Sequence, residues 1–160
     1  MGTTTALRRE IKRRFIPAIE KEGFALDERN APAFWIFRRK AERSVHVFCL
    51  QWEKYGRPRF RIDLGTCPLE GLEFSGNRFA WEDMHPHWVL DATTLIPKRG
   101  TSSRAWFRQD TTWLRRLFGA PALRSPGEVV DELLALFPEA DKYWAEGTLG
   151  PHMRQWRVSR

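Results

Sequence analysis

The chain reads as an α+β protein: a single antiparallel sheet of about four to six strands, one face covered by an N-terminal helix and by C-terminal helices. Three observations predict it. Between Ser44 and Gly65, two extended runs flank the turn-like Glu53-Lys-Tyr-Gly-Arg-Pro58. The second run alternates strictly, with Phe60, Ile62 and Leu64 on one side and Arg59, Arg61 and Asp63 on the other. That period of two marks a hairpin strand with one buried and one solvated face. Near the N-terminus Leu7, Ile11, Phe15, Ala18 and Ile19 recur at helical spacing and form one apolar stripe. Further on, Ser125-Pro-Gly-Glu128 carries a capping box, with proline in the first turn where no donor is lost.

Each element follows from local chemistry. Thr3 to Thr5 offer capping hydroxyls for the first helix. Pro17 lacks an amide donor, so the helix kinks or restarts there. Gly23 suits its left-handed closing position, and Phe24 folds back on the last turn. Asp27 to Pro32 is a loop, and Phe34-Trp-Ile-Phe-Arg-Arg39, dense in strand formers, is the first strand. After a polar turn at Lys40 to Arg43 comes the hairpin. A five-residue loop sets Trp52 opposite Pro58, Leu50 opposite Phe60 and Phe48 opposite Ile62 on the covered face. Val47 against Asp63 and Cys49 against Arg61 then make the other face a mixed surface. Cys67 to Asn77 has the punctuation of a long loop. His87 to Leu90 and Ala105 to Arg108 are short strands, and Asp110 to Gly119 ends in a helical turn. In the helix opened by Ser125, Val129, Val130, Leu133, Leu134 and Phe137 face the core. Pro138 begins a further segment on which Tyr143 and Trp144 pack, and a basic tail runs from about Gly150. Trp106, Trp113 and Trp144 are expected as core anchors.

At 160 residues, with 42% hydrophobic side chains and eight tryptophans, the chain is a single domain with a real core, which excludes disorder over most of its length. No apolar run approaches the roughly 20 residues of a membrane helix. The N-terminus has no apolar stretch of signal-peptide type, so the expectation is a soluble cytoplasmic protein with no membrane partner. In the expected register Cys49 and Cys67 lie roughly 20 Å apart, beyond the reach of a disulfide, and are read as free thiols. The formal net charge is +7. An anionic partner such as nucleic acid fits that excess. Dispersed surface charge fits it too, because outside Arg8, Arg9, Lys12, Arg13 and Arg14 and the tail residues Arg154, Arg157 and Arg160 the basic residues are scattered.

One resemblance follows from the order of these signals. A first helix ending in Gly23-Phe24, a strand closing on Leu50-Gln51-Trp52, and the strand Phe60-Arg-Ile-Asp-Leu-Gly65 resemble the family catalogued as domain of unknown function 4304. The likeness covers about residues 7–65. It implies an α+β fold and carries over no catalytic residue and no cofactor.

The chemistry-bearing residues form few patterns. His85 and His87 flank Pro86 on an extended segment, with Asp91 available to complete a metal site. No third ligand stands at a specific spacing, so a polar loop edge competes with that reading. Cys49 with His46 or His87 as base has no nucleophile elbow around it. Gly-rich phosphate loops, ribonucleoprotein consensus and helix-turn-helix spacing are missing from the sequence. Arg59 and Arg61, with Gln51 and Trp35, are candidate binding residues on an exposed sheet face, suited to an anionic or planar partner; a merely solvated face, or one hidden under the 67–86 loop, competes with that reading. The sequence therefore predicts a noncatalytic protein-binding or interaction module. One alternative is a nucleic-acid-associated protein using an Arg-rich surface; another is a metal-dependent enzyme at His85, His87 and Asp91.

Overall fold

A computed structural model of the chain describes residues 3–29, 32–89, 91–98, 105–119 and 121–156. Helix α1 (Thr3–Glu10) widens into a π-helical stretch at Ile11–Phe15 and continues as α2 (Ile16–Lys21). The cause is Pro17, which cannot donate in the first turn of α2. The Ile16 amide ahead of it reaches back five residues to the Ile11 carbonyl. Gly23 closes the helix at φ 88°, and the Phe24 amide bonds back to the Ile19 carbonyl at 3.1 Å.

Four strands follow: β1 (Ala25–Asp27), β2 (Phe34–Lys40), β3 (Ser44–Trp52) and β4 (Arg59–Pro68). A small separate hairpin, β5 (Leu72–Phe74) and β6 (Asn77–Phe79), leads to two 3-10 turns at Trp81–Asp83 and Pro86–Trp88. Then come β7 (Thr93–Leu95), β8 (Phe107–Arg108), the short helix α3 (Trp113–Leu117), the long helix α4 (Pro126–Glu146) and β9 (Met153–Gln155). The main sheet has seven strands in the order β1-β2-β3-β4-β7-β9, with β8 beside the start of β4, and every pair is antiparallel. The fold is α+β.

The helices α1, α2 and α4 cover one face. Phe48, Leu50, Phe60, Ile62 and Leu64 from the central strands meet Leu7, Ile11, Phe15, Val130, Leu133 and Phe137 in one core. Phe48 lies at its centre, with aromatic contacts to Phe15, Phe24, Phe37, Phe137 and Trp144. The capping box at Ser125 forms in both directions, at 3.2 Å and 2.8 Å.

The opposite face is where expectation and structure part. Instead of a solvated surface, two buried clusters lie here: Val45 and Cys67 pack with Met84, Val89 and Ala92 of the segment that crosses them, and Ile36, Val47 and Cys49 pack with Phe34. Gly65 permits that crossing, because a methyl group there would overlap the Val89 side chain. Arg38, buried on β2, fastens the crossing segment with two bonds to the Met84 carbonyl at 3.1 Å and 2.7 Å.

Other differences have local causes. The hairpin register is two residues off the expected one: Trp52 pairs Phe60, Leu50 pairs Ile62 and Cys49 pairs Asp63. Pro58 cannot donate to the ladder, so the loop extends to it, stabilised by the Glu53 carboxylate accepting the Tyr55 and Arg57 amides. A shift of two preserves every side chain's face. Cys67 thus lies four residues beyond Asp63, the partner of Cys49, and both thiols are free and buried. The 67–77 region contains the β5–β6 hairpin instead of a plain loop, and His87 sits in a 3-10 turn instead of a strand. Pro138 interrupts nothing: it lies on the exposed side of a continuous α4. The tail after Gly150 supplies β9 on the outer edge of β7. Trp113 is exposed, not a core anchor. Leu90, Arg157 and Arg160 lie outside the described residues, as do residues 30–31 of the expected 27–32 loop.

The Gly65 contact is testable. Gly65→Ala should destabilise the protein by about 1–3 kcal/mol through overpacking against Val89, read as a lower urea midpoint. An unchanged midpoint would show that the crossing segment does not rest on the sheet at this point.

Candidate functional site

The second face of the sheet gathers most of the polar residues that the sequence singled out. Pleating puts Gln51, Arg61 and Asp63 on this side, with Phe34 opposite Gln51 across the β2–β3 pair. Asp63 is the fixed point. Its side chain has no solvent exposure and accepts from Thr94 Oγ1 at 2.5 Å, His87 Nε2 at 2.8 Å and both the Nε and a terminal nitrogen of Arg61 at 3.0 Å and 2.9 Å. Burial alone would raise its pKa. The donors from His87, Arg61 and Thr94 outweigh that and hold the carboxyl below its usual range. An ionised Asp63 obliges His87 to carry its proton on Nε2. Trp156 closes the ring: its indole donates to Thr94 Oγ1 at 2.8 Å, and its face lies 4.8 Å from the His87 ring and 5.6 Å from the Arg61 guanidinium.

His85 and His87 come together, with ring centroids 4.3 Å apart, but Asp91 does not join them. The Asp91 carboxylate accepts from the Thr66 amide at 2.9 Å and the Tyr143 hydroxyl at 3.0 Å, which ties the crossing segment to β4 and α4. His85 Nδ1 accepts the His87 amide, and burial followed by the His87 charge lowers the His85 pKa to about 4. Among the described residues no three histidine, cysteine or acidic side chains converge as a metal site. Cys49 lies on the same face beside Asp63, and burial, reinforced by that carboxylate, pushes its thiol up. His46 is on the other face, stacked 5.1 Å from Trp144, and pairs with neither cysteine.

Of the four candidate binding residues, Gln51, Arg59 and Arg61 share this face and Trp35 does not. Trp35 sits on the helix side, where it meets Trp52 edge-on at 5.1 Å and lies 5.5 Å from both Arg8 and Lys12. Its place is taken by Trp106, whose ring lies 5.2 Å from the Arg59 guanidinium. Beside these residues opens a cavity of about 420 Å³, lined by Phe34, Gln51, Glu53, Lys54, Arg59 and Trp106 together with Ala33 and Trp52. Arg59 reaches Glu53 only at 3.4 Å, and its Nε is buried with no hydrogen-bond partner among the described residues. A buried donor left unmet costs about 1–3 kcal/mol. In contrast, Arg38 and Arg61 place their donors on carboxylate and carbonyl oxygens.

A second feature stands apart from the sheet. Helix α3 and the residue after it expose Trp113 (68%), Leu114 (48%), Leu117 (70%) and Phe118 (88%), interleaved with exposed Arg115 and Arg116. Sequence reasoning placed Trp113 in the core, because tryptophan usually is. On a helix the run Trp-Leu-Arg-Arg-Leu-Phe gathers its four apolar residues on one face, the ordinary pattern of a core-facing stripe, so nothing in the sequence marks that face as exposed. Asp63, Thr94 and Trp156 were missed because their partners come from distant segments. No family model matches the chain, and no curated protein or solved structure matches it either.

The two neutral histidines give a pH signature. His46 is also lowered to about 4, by burial and then by the Arg39 charge, against a partial opposing effect of Asp141. Between pH about 6.5 and about 4 the unfolded chain protonates both rings while the native state does not, so stability must fall as pH drops through that window. Urea midpoints measured from pH 7 to 4 should decline, and His85→Gln should reduce the slope. An identical slope in the variant would mean that His85 is charged in the folded protein.

Proposed function

We propose that this protein is a noncatalytic binding module that docks a protein partner through α3. The observation that carries the reading is the exposure of Trp113, Leu114, Leu117 and Phe118 around Arg115 and Arg116. Large apolar side chains in contiguous exposure are costly in water and mark contact surfaces. The two arginines, in a chain of net charge +7, suit a partner whose apolar groove is rimmed by acidic side chains. The polar face supports the noncatalytic part of the reading: the Asp63 carboxylate is saturated by donors, and burial holds both thiols protonated, Cys67 pushed up to about 11. Basic residues on the first helix are largely engaged. Arg13 and Arg14 pair with Glu10, Arg14 also with Asp131, and Arg8 lies over Trp52. The reading goes together with a cytoplasmic location and with membership of the family that residues 7–65 resemble.

Immobilised wild-type protein at physiological salt should retain a stoichiometric partner that the Leu117→Glu/Phe118→Glu double variant loses. The variant should keep the wild-type circular dichroism and melting temperature, because both side chains are solvent-exposed. Recovery of the same proteins by both forms, or of none from a broad panel, overturns the reading. Retention of nucleic acid that falls steeply with rising salt would replace it with the electrostatic alternative.

A further inference from the structure

We infer that the cavity between Phe34, Gln51, Arg59 and Trp106 is a binding site for a planar aromatic monocarboxylate. The inference does not depend on α3: the cavity lies where β3 and β4 enter their connecting loop, and its residues take no part in the exposed apolar patch.

Size comes first. A volume of about 420 Å³ falls in the range of small-molecule sites and is too small for a macromolecular segment of any length. Shape follows from the walls. Phe34 and Trp106 offer flat aromatic surfaces, which favour a flat ring over a bulky aliphatic one.

Charge decides the rest. Gln51 Oε1 accepts from Arg61 at 3.3 Å, and because a guanidinium can only donate, the orientation of that amide is fixed. Its NH2 group is left as a donor at the cavity. Arg59 adds a guanidinium whose one carboxylate partner among the described residues is 3.4 Å away and whose Nε has none among them. Lys54 adds a third donor, and Glu53 is the one carboxylate among the described lining residues. Among the described residues, two cations against one anion leave room for one further negative charge. A phosphate dianion would leave the site one charge in excess, while a neutral ring would leave the donors without an acceptor. The ligand defined by these constraints has one or two fused rings and one carboxylate, with its oxygens at Arg59 and Gln51 and its ring against Trp106.

Isothermal titration of the full chain with 2-naphthoate tests it, using 2-naphthamide, cyclohexanecarboxylate and phenyl phosphate as comparators. The expected result is one-to-one binding of 2-naphthoate, with each comparator about tenfold weaker or silent, accompanied by a change in tryptophan fluorescence. Arg59→Gln should abolish binding. Lys54→Gln, at an exposed position whose ring contact is with the likewise exposed Tyr55, should weaken it several-fold with the fold intact, so a misfolded Arg59 variant does not remove the test. No heat with 2-naphthoate, equal binding of the amide or the saturated acid, or undiminished binding by folded Arg59→Gln each overturns the assignment.

Discussion

A carboxylate without solvent access, Asp63, holds the second face of the sheet together. Moving such an anion out of water costs several kcal/mol, and only good geometry with every lone pair engaged offsets it. Here the donors come from three separate elements: Arg61 on β4, Thr94 on β7 and His87 in the 3-10 turn. Thr94 in turn takes the Trp156 indole, so the residue after β9 is drawn into the same network. Remove the charge and the polar groups that it orders lose their common partner. The helix-covered face needs no such device, because Phe48, Phe60, Ile62 and their neighbours are held by packing alone.

Two contacts on the same face complement Asp63. Gly65 lets Val89 lie directly on β4, and the buried Arg38 grips the Met84 carbonyl while pairing with Asp27 at 2.6 Å. Asp27 is held well below the usual carboxylate range by Arg29, against the cost of burial, with Arg38 adding to the effect. The second layer is therefore a thin covering of loop and turn, fastened at a few charged points. Such a layer leaves gaps beside it that a helix would fill, and the cavity at Arg59 is one of them.

Several readings carried over from sequence to structure because their causes are local. The restart of the helix at Pro17, which the structure makes through a π-helical widening, the glycine closure at Gly23 and the reciprocal cap at Ser125 depend on neighbours only a few residues away. Grouping Gln51, Arg59 and Arg61 worked for the same reason, since strand parity survives a register error of two. Trp35 failed because its face depends on which way β2 is set against β3, which no feature of Phe34 to Lys40 declares. Pro138 misled because a proline on the exposed side of a long, well-packed helix gives up one hydrogen bond without breaking the rest. His85 and His87 do lie side by side, but the carboxylate that meets them is Asp63, bonded to His87 alone, and not the nearby Asp91.

The amino-acid sequence alone determined the first helix, the extended runs that become β2, β3 and β4, the capped helix that starts at Ser125, which side chains of the β3–β4 hairpin share a face, and that the helix-covered core exists. Periodicity, caps and prolines act within a few residues and can be read in one dimension. Only the tertiary structure decided that the polar face is covered, that Asp63 is an anchor, and that Trp113 and Phe118 stand in water while Trp156 is half-buried against that face. Those outcomes depend on which distant segments compete for the same surface, and burial is a property of the winner's position, not of the residue's type.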